Sequence, residues 1–214
     1  MHISEGVIDA APVLIAGWGL AAAGAGIGLA KMDADDVPRA AILSSAFFVA
    51  TLVHVPVGPV SAHLILNGLL GLLLGWAAFP AILVALALQA LFFGYGGPSI
   101  LGVNTVLMAT PAVLAHYLFR PFLHGGPRVC SSAAFGAGAA GVLGAAVFMA
   151  LAMVFAREEF LQTAKVVVWI HLPVMAVEGV ITAMCVAFLR KVQPDLLPGF
   201  APGKGGEHDT GSGQ

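Results

Sequence analysis

The sequence predicts an all-helical integral membrane protein of about seven transmembrane helices. Three observations lead there. The chain is 59% hydrophobic and only 9% charged over 214 residues, where a soluble domain carries about 25% charged residues. Its mean hydropathy is +0.97. Its apolar stretches recur at about the 20 residues that a helix needs to cross a bilayer, and short links between them hold most of the charges, glycines and prolines.

The first stretch runs from about Asp9 to Ala30 and is rich in small residues such as Gly17, Ala21, Gly24 and Gly28, which allow close helix packing in lipid. A charged loop, Lys31 to Asp36, follows. The second span is expected from about Pro38 to Val55, ending at His54, and the link Pro56-Val57-Gly58-Pro59 leads into a third from about Val60 to Ala77. The fourth covers about Phe79 to Phe93, and Gly94 to Pro98 is a loop. The fifth covers about Leu101 to Leu118, the sixth about Ala133 to Ala156 and the seventh about Ala164 to Leu189. Residues 1–190 therefore read as one transmembrane domain. Residues 191–214 read as a polar, Gly/Pro-rich, disordered tail.

Seven spans put the two ends of the chain on opposite sides. Lys31, Arg39, Arg120, Arg128, Arg190, Lys191 and Lys204 fall on the side of the C-terminus, against Arg157 and Lys165 on the other. The positive-inside rule then places the N-terminus outside and the C-terminus in the cytoplasm, as in a multi-pass protein of the inner (plasma) membrane. The first residues do not read as a signal peptide, because they carry Glu5 and Asp9 and no Lys or Arg. Cys130 and Cys185 lack metal-site spacing. A net charge of -2 argues against nucleic acid as a partner.

Chemistry concentrates at the N-terminus. The Met1 α-amine, the His2 amide nitrogen and His2 Nδ1 can close adjoining five- and six-membered chelate rings on one metal ion. Met1 is expected to survive processing, because His2 is too large for the aminopeptidase that removes initiator methionine. Three nitrogens in a plane leave one place for a further imidazole, and square-planar nitrogen sets suit Ni(II) and Cu(II). His54, His63 and His171 share the outer half of the predicted bundle, and for His63, beside a chelate that lacks one ligand, a ligand role is favoured over a merely structural one. His116, His124 and His208 read as interface or solvated residues.

Polar residues inside spans are functional candidates because each costs free energy to bury in lipid. His63 and Asn67 are four apart, and His171, Met175 and Glu178 are spaced by four and three, so each set would share a helix face. Glu178 would orient a ligand histidine or stay a buried protonated acid. Asn67, Gln89 and Thr105 read first as helix-to-helix hydrogen bonds. Asn104 opens the fifth span at its outer end. No H-E-x-x-H and no phosphate-binding G-x-x-x-x-G-K-[ST] motif occurs.

Met1-His2-Ile3, His54-Val55-Pro56, Ser61-Ala62-His63-Leu64 running into Asn67-Gly68-Leu69-Leu70-Gly71, Gly102-Val103-Asn104-Thr105 and His171-Leu172-Pro173 leading to Glu178-Gly179 together resemble one family. It is the CbiM/NikM family, the substrate-binding membrane subunit of cobalt and nickel transporters of the energy-coupling-factor class. The resemblance covers nearly the whole chain to about Arg190. It implies about seven spans with the N-terminus tucked into the helix bundle. It implies Ni2+ or Co2+ as the transported substrate, held by Met1, His2 and, by motif position, His63. It also implies a transmembrane coupling subunit, two cytoplasmic ATPase subunits and often a small accessory membrane subunit.

Two other classes compete with this non-enzymatic transport subunit. An intramembrane metalloenzyme would use His54, His63 and His171 on zinc, with Glu178 as base and an open coordination site. A proton-coupled secondary metal transporter would use Glu178. Its usual inverted halves are not visible between residues 1–107 and 108–214.

Overall fold

The computed structural model describes residues 3–52, 54–57, 60–156 and 158–198. Among them are seven α-helices: α1 (Ala11–Ala30), α2 (Asp36–Leu52), α3 (Asn67–Leu74), α4 (Ala78–Phe93), α5 (Leu101–Phe119), α6 (Pro127–Ala156) and α7 (Leu161–Val192). Between α2 and α3 lies an antiparallel hairpin, β1 (His54–Val57) with β2 (Val60–His63), which pairs His54 with His63. Among the described residues, five helical stretches are long and apolar enough to cross a membrane: Ala11–Ala30, Asn67–Phe93, Leu101–His124, Pro127–Ala156 and Leu161–Val192. At 17 residues α2 is near the short limit for a span.

Contacts between helices fix their directions. We call the end where residues 3–10 dock the upper end. Gly17 of α1 lies against Val103 near the start of α5, and Gly28 lies against Trp76 and Pro80. Helix α1 therefore descends beside α5. The Ser44 hydroxyl donates to the Ala81 carbonyl at 2.7 Å, and Gln89 Nε2 donates to Thr51 Oγ1, so α2 and α4 ascend together. Gly71 meets Ala112, and Gly75 meets His116, so α3 descends along the lower half of α5. Gly136 meets Phe119 and Gly144 meets Pro111, which makes α6 ascend. Helix α7 descends against it, with Gly179 on Phe135.

The third expected span differs from a continuous helix over 60–77. It is built from the hairpin followed by the eight residues of α3, a length of about 12 Å where a crossing needs about 30 Å. Val55, Val57 and Val60 are β-branched, and Pro56 withholds a backbone donor, so this sequence suits a short two-stranded ribbon better than a helix. His63 therefore sits on a strand, and its expected helix face shared with Asn67 does not form. At the lower end Gly75 adopts φ +57, and a 3-10 turn over Gly75–Ala77 reverses the chain into α4.

Helix α6 begins at Pro127, six residues before the expected Ala133, because proline fits the first turn of a helix. The expected domain boundary at 190 falls inside α7, and packing continues beyond it. Leu197 is buried, and Arg39 Nη2 donates to the carbonyls of Leu73, at 2.7 Å, and Leu196. Residues 199–214, expected to be disordered, lie outside the described residues.

Candidate metal centre

The chain enters the bundle through residues 3–10. Ile3 is 2% exposed and Asn104 is 2% exposed, and they meet through a two-point clasp. Asn104 Oδ1 accepts from Ile3 N, and Asn104 Nδ2 donates to Ile3 O, both at 3.0 Å. One amide side chain can fill both roles because it carries an acceptor and a donor. Two residues further on, Glu5 N donates to Gly96 O at 2.8 Å. The Glu5 carboxylate accepts from Ser99 Oγ at 2.6 Å and from Ser99 N at 3.3 Å. The Ser99 hydroxyl, then its backbone N–H, holds this carboxyl below its ordinary value. Gly97 has φ +127 and packs so close that a Cβ there would run into the Glu5 carboxylate. Met1 and His2 lie outside the described residues.

His63 ends β2 at 4% exposure, with its Nδ1 at 2.8 Å from Leu64 O. With the proton assigned to Nδ1, Nε2 carries the lone pair that a metal would use. The strand packs on α7, and His171 of α7 lies within charge–charge range of His63. His171 is 2% exposed, its Nδ1 lies 2.7 Å from Val167 O, and its buried Nε2 has no hydrogen-bond partner among the described residues. Of His54, the structure describes only the backbone, directly across the ladder from His63.

Glu178 is fully buried. Its carboxylate accepts from the backbone N–H groups of Ile65 and Leu66, the latter at 2.9 Å to each oxygen. These donors precede α3 and would otherwise face a water-free interior. Leu66 holds φ 53, the left-handed region. A negative group at this helix N-terminus also complements its dipole. The carboxylate thus fixes the backbone immediately after His63. Sequence reasoning placed Glu178 on the correct face with His171 and did not foresee these backbone partners.

Asn67 is buried where α3, α5 and α6 meet, and its Nδ2 donates to Met108 O at 3.2 Å and Gly141 O at 3.0 Å. That is the helix-to-helix bond expected of it, with Oδ1 unpartnered among the described residues. His116 lies at the other end of the bundle, with Nδ1 at 3.1 Å from the carbonyls of Gly71 and Leu72. His124 is exposed. Among the described residues no three His, Cys, Asp or Glu side chains form a group able to hold a metal ion. His63 and His171 would need further nitrogens from elsewhere in the chain.

Comparison with known proteins places these features in context. A family model described as the cobalt uptake substrate-specific transmembrane region, CbiM, matches residues 2–196. A protein of Haemophilus influenzae, provisionally named a metal transport protein, is 43% identical over 202 residues, covering 92% of this chain and 97% of its own. The cobalt transport protein CbiM of Sorangium cellulosum is 31% identical over 219 residues, covering 92% of this chain and 94% of its own. A crystal structure of a transition metal transporter superposes with a TM-score of 0.78 at 29% identity, covering 90% of this chain and 93% of the other.

Proposed function

Because the chain belongs to the CbiM family of substrate-specific transmembrane components, we propose that it is the metal-binding subunit of an ATP-driven importer of nickel or cobalt. It is embedded in the membrane and works in metal transport. In this reading the ion is cargo, and the protein is no enzyme. ATP is hydrolysed by a pair of cytoplasmic ATPase subunits. A transmembrane coupling subunit connects them to this chain, with a small accessory membrane subunit in some assemblies.

The ion is held by the Met1 amine, the His2 amide and imidazole nitrogens, and His63. The observation that carries this reading is the Asn104 clasp. It fixes the backbone of Ile3 inside the bundle, against the start of α5. Two further residues of chain reach at most about 7 Å, so Met1 and His2 are tethered to this end of the molecule. A planar set of four nitrogens suits a square-planar divalent ion. Glu178 positions His63 through the backbone, and His171, on the helix against which the His63 strand packs, is an additional imidazole.

The alternation of helix directions supports seven crossings, the third of them being the hairpin with α3. The cations Lys31, Arg39 and Arg120 lie at the lower end, which supports a cytoplasmic lower end, an external N-terminus and residence in the inner membrane.

The test is a nickel titration of purified protein with cobalt as competitor, repeated on His63→Ala. The expected result is one ion per chain in the wild type. The variant should lose at least tenfold in affinity, with a changed visible spectrum for any nickel still bound. Normal nickel binding by His63→Ala, with loss in His54→Ala or His171→Ala, would move the site to those residues.

A further inference from the structure

Two cavities have no part in the metal centre. One, of 410 Å³, opens beside the Gly75–Ala77 turn and is lined by Lys31, Arg39, Arg120, Trp76 and Tyr117, with Asp36 as its acid. Three cations against one carboxylate make it a site for negative charge. Arg39 is held in place by the carbonyls of Leu73 and Leu196. Lys31 Nζ stands 5.3 Å over the Trp76 ring. Trp76 Nε1 donates to Tyr117 Oη at 2.9 Å, which leaves the hydroxyl's own hydrogen available as a donor.

The second cavity, of 520 Å³, is an apolar groove formed by α1, α2 and α4 and lined by residues that include Val37, Ala41, Ser45, Val84 and Leu88. Met32 lines both cavities, so the cationic pocket adjoins the groove. Both volumes fall within the range of ligand clefts, about 300–1,000 Å³. Trp and Tyr concentrate where a membrane meets water, and basic pockets between spans recruit acidic headgroups. We infer that this composite cavity binds one anionic phospholipid, with its phosphate against Lys31, Arg120 and the Tyr117 hydroxyl and an acyl chain along the groove between α2 and α4.

The experiment uses the full chain, purified and delipidated in detergent, then offered phosphatidylglycerol, phosphatidylcholine or glycerol phosphate. Bound molecules are counted by native mass spectrometry. Phosphatidylglycerol should be retained at least tenfold better than phosphatidylcholine, and glycerol phosphate should not be retained. Lys31→Gln with Arg120→Gln should bring phosphatidylglycerol down to the phosphatidylcholine level. Ala41→Trp, which fills the groove from an exposed position, should reduce retention of both lipids. Nickel affinity serves as the folding control, and each single charge variant is run beside the double. Equal retention of the two lipids, or no effect of the charge variants, would overturn the inference. Glycerol phosphate binding as well as the lipid, with no effect of Ala41→Trp, would reduce the site to a phosphate-ion site and overturn it as well. None of these outcomes depends on which residues hold the metal.

Discussion

Glu178 shows what a single residue can do for a proposed site that it does not touch. Its carboxylate holds the N–H groups of Ile65 and Leu66, and His63 lies just upstream. Glu178→Gln keeps the shape but turns an amide NH2 toward backbone donors. An unsatisfied buried donor costs about 1–3 kcal/mol, so the variant should unfold at lower denaturant in detergent and bind nickel more weakly. Unchanged stability and affinity would remove its positioning role. Glu5 and Ser99 give a second residue-scale prediction. The folded carboxyl titrates below its ordinary value of 4.5, so its contribution is present above that value and is lost as pH falls through the lower, folded one. Hydrogen exchange at the Ile3 and Glu5 amides should rise over that window, and Ser99→Ala should flatten the dependence. An identical profile in Ser99→Ala would show that the pair does not hold the segment. Asn104 was legible as a buried amide at the start of α5. Its partner was not, because Ile3 lies 101 residues away in sequence and no local pattern links them.

At the scale of elements, the helices α1, α4 and α5 were readable because apolar length is a property of composition. The face of α7 that carries His171 and Glu178 was readable from helical spacing, and both residues are buried as that spacing requires. The third span was not readable, because hydropathy counts apolar residues without asking whether they form a helix. Its valines and prolines carried the strand signal, but a four-residue ribbon inside a membrane domain has no periodicity long enough to register. The short helix that follows depends on close approach. A Cβ on Gly71 would overlap the Ala112 carbonyl of α5, a backbone atom that cannot swing away. Gly71→Val should therefore cost about 1–3 kcal/mol or more and lower the thermal midpoint in detergent. Gly26→Val, where a Cβ meets nothing within 4 Å, should leave it nearly unchanged. Equal midpoints for the two variants would contradict the packing of α3 on α5.

For the whole molecule, the proposed metal centre depends on the chain's beginning being bound into its middle. Asn104, Gly96 and Ser99 grip residues 3 and 5, and the proposed ligands Met1 and His2 follow from that grip. One residue added before Met1 converts its amine into an amide, makes His2 the third residue and changes the chelate rings, while every native side chain stays in place. The measurement is a nickel titration of two folded forms in detergent, one extended before Met1 and one extended after Gln214. High-affinity binding should vanish in the first and persist in the second. Equal affinity in the two would show that the N-terminus is no ligand, and would leave His54, His63, His171 and Glu178 to form the site without it.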